Sequence, residues 1–87
     1  MKREKFTREN ISRIRDGPGV YMLYSKMAKK PTYIGETNNL KRRLVEHKTA
    51  EKFHTFTVQH TYSHRAAQAK EKRLIKLHKP RRNKVYA

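Results

Sequence analysis

Two short apolar runs, Gly19–Tyr24 and Thr32–Gly35, flank a polar stretch, Ser25–Pro31, that carries lysines and a proline. Strand-forming residues on either side of a short turn-rich segment read as a β-hairpin. Each run holds a tyrosine-glycine signature: Gly19-Val20-Tyr21 in the first, Tyr33-Ile34-Gly35 in the second. Residues on paired strands can share a face, so the two tyrosines can sit side by side on one surface of a sheet. Strand aromatics commonly do no more than pack a core. On these residues alone that plain reading stands beside a functional one.

The chain has 87 residues, enough for one domain with a small core. Only 34% of them are hydrophobic, but they cluster in periodic segments, which argues for a folded domain rather than a disordered one. There is no cysteine, so no disulfide or thiolate zinc site supports the fold, and a reducing compartment is consistent. No apolar run approaches the roughly 20 residues of a membrane span. The basic N-terminus, Met1-Lys2-Arg3-Glu4-Lys5, is not followed by a signal-peptide apolar stretch. A cytoplasmic protein is expected. Lysine and arginine number 23 against 7 acids, a formal charge of +16. Self-repulsion on so small a body is best explained by a polyanionic partner, of which nucleic acid is the commonest. An anionic membrane is the rival. It calls for a helix with a bulky apolar face, whereas the last helical segment offers alanines and a few aliphatics that a core needs.

Thr7 is placed to cap a short helix from which Ile11 and Ile14, with Phe6, cover the core. Asp16-Gly17-Pro18-Gly19 ends it as a turn. After the hairpin, Thr37, Asn38 and Asn39 offer capping chemistry before a helix of about two turns over Leu40–His47. Phe53–Thr61 alternates, with Phe56 and Val58 on one face and Thr55, Thr57 and Gln59 on the other, as in a half-exposed third strand. Ser63 starts the last helix, which runs to about His78 before Pro80 stops it. There is no internal repeat and no linker, so a single domain over residues 1–87 is expected.

On the second helix Leu40, Arg43, Leu44 and His47 share one face, while Lys41 and Arg42 point elsewhere. A guanidinium on an apolar face needs a partner or a polar site, or must reach past the leucines to water. Glu71 is the only acid after Glu51 and lies in a basic stretch. With Ala67, Leu74, Ile75 and His78 it follows the inward helical stripe, although a salt bridge to a neighbouring lysine is the usual fate of a helix glutamate. His54, His60, His64 and His78 show no convincing metal-ligand spacing.

The run Tyr33-Ile34-Gly35-Glu36-Thr37-Asn38-Asn39-Leu40-Lys41-Arg42-Arg43-Leu44-Val45-Glu46-His47 closely resembles the GIY-YIG nuclease family. So does the ending, Glu71-Lys72-Arg73-Leu74-Ile75 followed by Lys79-Pro80-Arg81-Arg82-Asn83. The resemblance covers about Gly17 to Asn83 and rests on five motifs in the family's order. It implies a mixed α/β (α+β) fold: a three-stranded, mainly antiparallel sheet flanked by helices. It also implies a divalent-metal-dependent endonuclease that hydrolyses phosphodiester bonds in DNA. By this resemblance Arg43 holds the scissile phosphate, where a planar donor fork suits phosphate oxygens. Glu71 is the single carboxylate ligand of Mg²⁺ or Mn²⁺, chemically sufficient because magnesium keeps several waters. His47 resembles a second phosphate-side donor or a proton carrier. Asn83 would pin the tail near the site, though an ordinary turn asparagine reads equally well.

Tyr21 or Tyr33 would be the general base. Tyr21 is favoured, with Tyr33 its hydrogen-bonding partner, but the residues alone do not separate them. An unperturbed tyrosine titrates near pH ~10, so at pH 7 about one in a thousand is ionised, a deficit of roughly 4 kcal/mol. Arg43, His47 and the cation are expected to reduce it. Two positions depart from the family pattern: Glu36 after Gly35, and Arg82 before Asn83. The rivals are a non-catalytic basic nucleic-acid-binding module that keeps the fold, and a structural or interaction module. DNA is the expected partner, with no membrane, a monomer or weak dimer, and room for a protein partner that supplies specificity.

Overall fold

The computed structural model describes residues 3–50 and 52–80. Its elements run β1 (Glu4–Lys5), α1 (Arg8–Ser12), β2 (Gly19–Tyr24), β3 (Tyr33–Thr37), α2 (Leu40–Ala50), β4 (Thr55–His60) and α3 (His64–His78). One antiparallel sheet of four strands, ordered β1-β4-β2-β3, forms the middle layer. This corrects the three strands expected from sequence. β1 is only two residues long, too short to show a period-two pattern, and exists by pairing Glu4 with Phe56 and Lys5 with Thr55.

The hairpin forms as expected, with Tyr21 opposite Gly35 and Leu23 opposite Tyr33. β2 is bounded by β3 on one side and β4 on the other, and all six of its residues are buried. Their parity divides the interior. Tyr21 and Leu23 pack with Phe6, Ile11, Leu40, Leu44 and Phe56 on the side of α1 and α2. Val20, Met22 and Tyr24 pack with Ile34 and Ala67 on the side of α3. Each fully buried aliphatic or aromatic side chain is worth about 1.5–3 kcal/mol of transfer free energy. The two clusters are therefore the main hold on the three layers.

β4 differs from its expected half-exposed character. Phe56 and Val58 do face the α1–α2 layer, but Thr57, opposite Met22, is buried as well. Its hydroxyl has no partner among the described residues. An interior position between β1 and β2 leaves β4 less open than its threonines suggest.

The helix ends follow local chemistry. The Thr7 and Ser63 hydroxyls accept from the Asn10 and Ala66 amides, at 3.1 Å and 3.0 Å, capping α1 and α3. α3 ends at Lys79, whose left-handed backbone (φ 48°) sends its N–H to the Ile75 carbonyl, and Pro80 follows. α2 extends to Ala50, beyond the two turns read from sequence. Its start is fixed from a distance: the Asp16 carboxylate accepts from the Lys41 amide at 3.1 Å, and the Gly17 carbonyl accepts from the Leu40 amide at 2.9 Å. An acid at a helix N-terminus complements the helix dipole. Among the described residues no helix is long and apolar enough to cross a membrane.

Candidate active site

Tyr21 leaves the central strand toward α2 and lies over Gly35 on β3. A β-carbon built at Gly35 would overlap the Tyr21 hydroxyl and the ring carbon that bears it. Only glycine leaves the space that the phenol occupies, which gives the Tyr33-Ile34-Gly35 signature a steric meaning. Tyr33 stands diagonally across the strand pair, its ring centroid 6.1 Å from that of Tyr21. The two tyrosines thus share a face, as the hairpin reading requires.

α2 lays two residues on this pair. The His47 ring lies 5.3 Å from the Tyr21 ring and 5.2 Å from the Tyr33 ring, centroid to centroid. Its Nε2 is 2.9 Å from the Tyr21 hydroxyl, and the residue is only 9% exposed. One turn earlier, Arg43 is near enough for its guanidinium to favour the ionised form of the same hydroxyl. It does not lie buried among the leucines. Its side chain is 44% exposed, and its Nη1 donates to the Glu46 carboxylate at 2.8 Å. That bond holds Glu46 below the usual carboxylate range and keeps Arg43 firmly cationic. Glu46 escaped the sequence reading, although three residues along a helix from an arginine is a legible ion-pair spacing.

The electrostatic balance at Tyr21 runs against the expectation from sequence. Burial pushes its hydroxyl far above the ordinary tyrosine range, with neighbouring Tyr33 adding to the rise. Arg43 opposes both without cancelling them. Desolvation of the phenolate outweighs one half-exposed guanidinium. In this state Tyr21 is a protonated phenol.

Glu71 does not join this cluster directly. The tyrosines, Arg43 and His47 occupy the α2 side of the sheet, whereas Glu71 belongs to α3 on the other side. It stands at the rim. β3 is the edge strand, and the Glu36 backbone N–H donates to the Glu71 carboxylate. Residues on α3 and residues over Tyr33 and Gly35 can therefore approach one another only around β3. The Glu36 side chain pairs with His64, at the start of α3. Burial, and then the nearby Glu36 charge, raise the Glu71 carboxyl above the usual carboxylate range, while the Glu36 amide pulls the other way. A half-buried oxygen donor beside a second carboxylate suits a hard divalent cation, whose charge would relieve the repulsion. The residues present fit such an ion. Asn83, the remaining sequence candidate, lies outside the described residues, as does Arg82.

Comparisons with known proteins identify the fold and the family. The family model of the GIY-YIG catalytic domain matches residues 17–85. The structure is similar to that of the GIY-YIG N-terminal endonuclease domain of UvrC from Thermotoga maritima bound to its catalytic divalent cation, magnesium. The TM-score is 0.73 at 29% identity, covering 93% of this chain and 97% of that one. A tyrosine-to-phenylalanine point mutant of that domain, bound to its catalytic divalent cation, aligns with a TM-score of 0.75 at 28% identity, covering 93% and 97% of the two chains. An asparagine-to-alanine point mutant gives 0.75 at 28% identity, covering 93% and 96%. No curated protein matches the chain in sequence. The family model spans most of the chain and the fold is matched over nearly its whole length, so the chain belongs to the GIY-YIG family.

Proposed function

We propose that this GIY-YIG-type endonuclease hydrolyses phosphodiester bonds in DNA, with Tyr21 as general base, Arg43 as phosphate clamp and Glu71 as the ligand of Mg²⁺ or Mn²⁺. The observation that carries this reading is the Tyr21 hydroxyl, 2.9 Å from His47 Nε2 and within the influence of the Arg43 guanidinium. Arginine has no acceptor atom and can only donate to that oxygen. The phenol's own proton is then free to be directed at His47 Nε2, 2.9 Å away. As water attacks phosphorus, Tyr21 accepts the water's proton while passing its own to His47. No free phenolate is needed beforehand, so the raised affinity of Tyr21 for its proton does not bar the step. Positioned acid–base groups of this kind contribute about 10²–10⁴-fold.

Arg43 presents the rest of its donor fork to the non-bridging phosphate oxygens, where charge develops in the transition state. Glu46 orients it and is the group that the phosphate would displace or share. Tyr33 packs against Tyr21 and His47 and fixes both rings. Bound at Glu71, a divalent cation supplies Lewis-acid neutralisation of phosphate charge. Asn83 would hold the C-terminal tail near the site. The absence of cysteine and the basic surface support action in the cytoplasm by one domain on nucleic acid, as a monomer or weak dimer, with specificity open to a protein partner.

Glu71→Gln tests the reading. The amide is nearly isosteric and removes the charge that holds the cation. Cleavage should collapse while DNA binding persists or tightens, and EDTA should reproduce the loss in the wild type. Cleavage by the variant at the wild-type rate would sink the assignment. DNA binding by the wild type without cleavage of single-stranded, duplex, flapped or branched forms, in Mg²⁺ or Mn²⁺, would leave a binding module instead. RNA serves as the control substrate.

A further inference from the structure

Away from the tyrosines, a cleft of about 480 Å³ opens between the β2–β3 turn and the end of α3. Lys29, Lys30, His78 and Lys79 line it, and no acid does. The acids of the described chain lie elsewhere: Glu4 and Glu9 in β1 and α1, Asp16 at the start of α2, Glu46 on Arg43, and Glu36 beside Glu71. On α3, Lys72 and Lys76 lie four residues apart on one exposed face, and the exposed Lys79 follows just past the helix end. The row begins next to Glu71, whose carboxyl feels the Lys72 charge, and ends in the cleft. One or two cations at a helix C-terminus are accounted for by its dipole. Like charges at i and i+4, facing two more lysines across a cleft, repel one another, and the fold itself gains nothing from that.

We infer that this lysine row and cleft form a second contact for the nucleic-acid backbone, holding the phosphates that lie to one side of the scissile bond. The inference rests on the nuclease reading for its direction, since Glu71 marks the end nearest the chemistry. Glu71 and His78 are seven residues apart, and at 1.5 Å per residue the row extends roughly 10 Å along α3. Duplex DNA carries a phosphate every ~3.4 Å of axis on each strand. The cleft therefore lies about three base steps from the cation-binding end. The partner is the phosphodiester backbone, recognised by charge and independent of base sequence, as lysines without a planar fork are suited to do.

The test uses the full chain and a labelled duplex in EDTA, so that binding is read without cleavage. Lys29→Gln with Lys30→Gln should weaken binding and reduce the steepness of log affinity against log salt by about 0.9 per lysine. Adding Lys79→Asn, a residue that tolerates the left-handed backbone there, should reduce it by about a further 0.9. A control pair at the far edge of the sheet, Lys5→Gln with Arg8→Gln, should leave the slope close to wild type. The wild type should also gain affinity as the duplex is extended by three or four base pairs beyond the cut, and the cleft variants should lose that gain. Single-turnover cleavage at saturating DNA should be unchanged. Equal slope changes in the cleft and control pairs would overturn the inference by reducing the lysines to diffuse charge. An unchanged slope in the cleft variants would also overturn it, leaving an acidic protein or an anionic membrane as the partner of the cleft. Because the salt slope and the length dependence are read in EDTA, they stand or fall separately from catalysis.

Discussion

The two sides of β3 are built on different physical principles. On the α2 side, Tyr21, Tyr33 and His47 are locked by packing, with ring contacts between 5.2 and 6.1 Å and scarcely any exposure of Tyr21 or His47. On the α3 side, Glu71, Glu36 and His64 are held by charge and one backbone amide at a half-open rim. The first region is rigid before substrate arrives and holds a proton tightly. The second is polar and partly exposed, with two neighbouring carboxylates whose repulsion a cation would relieve. The proposed proton relay and the proposed cation site would thus fall on opposite sides of one strand.

The sharpest way to break this contrast is to remove one oxygen from the packed side. Tyr21→Phe keeps ring volume and should keep the fold, but it should lower single-turnover cleavage by about 10²–10⁴-fold. Tyr33→Phe should lose less. Were both variants fully active, neither tyrosine could be the base. Arg43→Ala should follow, costing about 10²–10³-fold through lost transition-state charge stabilisation. Arg42→Ala, off that helix face, should cost far less, and equal effects would displace Arg43 from the site. Gly35→Ala tests packing alone. It adds one methyl where the phenol lies, so it should destabilise the fold by about 1–3 kcal/mol in denaturant titration and cut turnover by displacing Tyr21. A variant of wild-type stability and rate would show that the ring does not need that place.

The smallest expected effect probes the rim. A carboxyl raised above its unfolded value contributes stability that is fully present below the unfolded pKa and lost as pH rises through the folded pKa. Glu71 is in that position, so Glu71→Gln should melt slightly higher than wild type at neutral pH and no higher in acid. Millimolar Mg²⁺ should raise the melting temperature of the wild type but not of the variant, because only a bound ligand stabilises by mass action. A metal-induced rise of equal size in both would place the cation elsewhere.

Much of this molecule is legible in its sequence where the determinants are local. The hairpin, the caps Thr7 and Ser63, and the shared face of Arg43 and His47 follow from turn chemistry and helical period. What escaped depends on distance along the chain. β1 exists only because Phe56 and Thr55 offer it an edge. The start of α2 is fixed by Asp16, 25 residues before Lys41, rather than by the side chains of Asn38 or Asn39 alone. The inward stripe of Glu71 was readable, but which side of the sheet that stripe would cover was not, since this depends on how α3 crosses. The proton affinity of Tyr21 was misjudged because neighbouring charges are visible in a sequence while desolvation is visible only in a packed core.

The bond between Glu71 and the Glu36 amide has a consequence unrelated to catalysis. β3 closes one side of the sheet, and an edge strand with free amides is a template on which another chain can add a strand. Glu71 occupies such an amide with an acceptor and surrounds it with negative charge. That contact leaves one fewer bare donor on the strand for edge-to-edge pairing. Glutamine keeps an acceptor there, and alanine leaves the amide bare. Truncation to alanine is therefore expected to make edge-to-edge pairing easier, and replacement by glutamine is not.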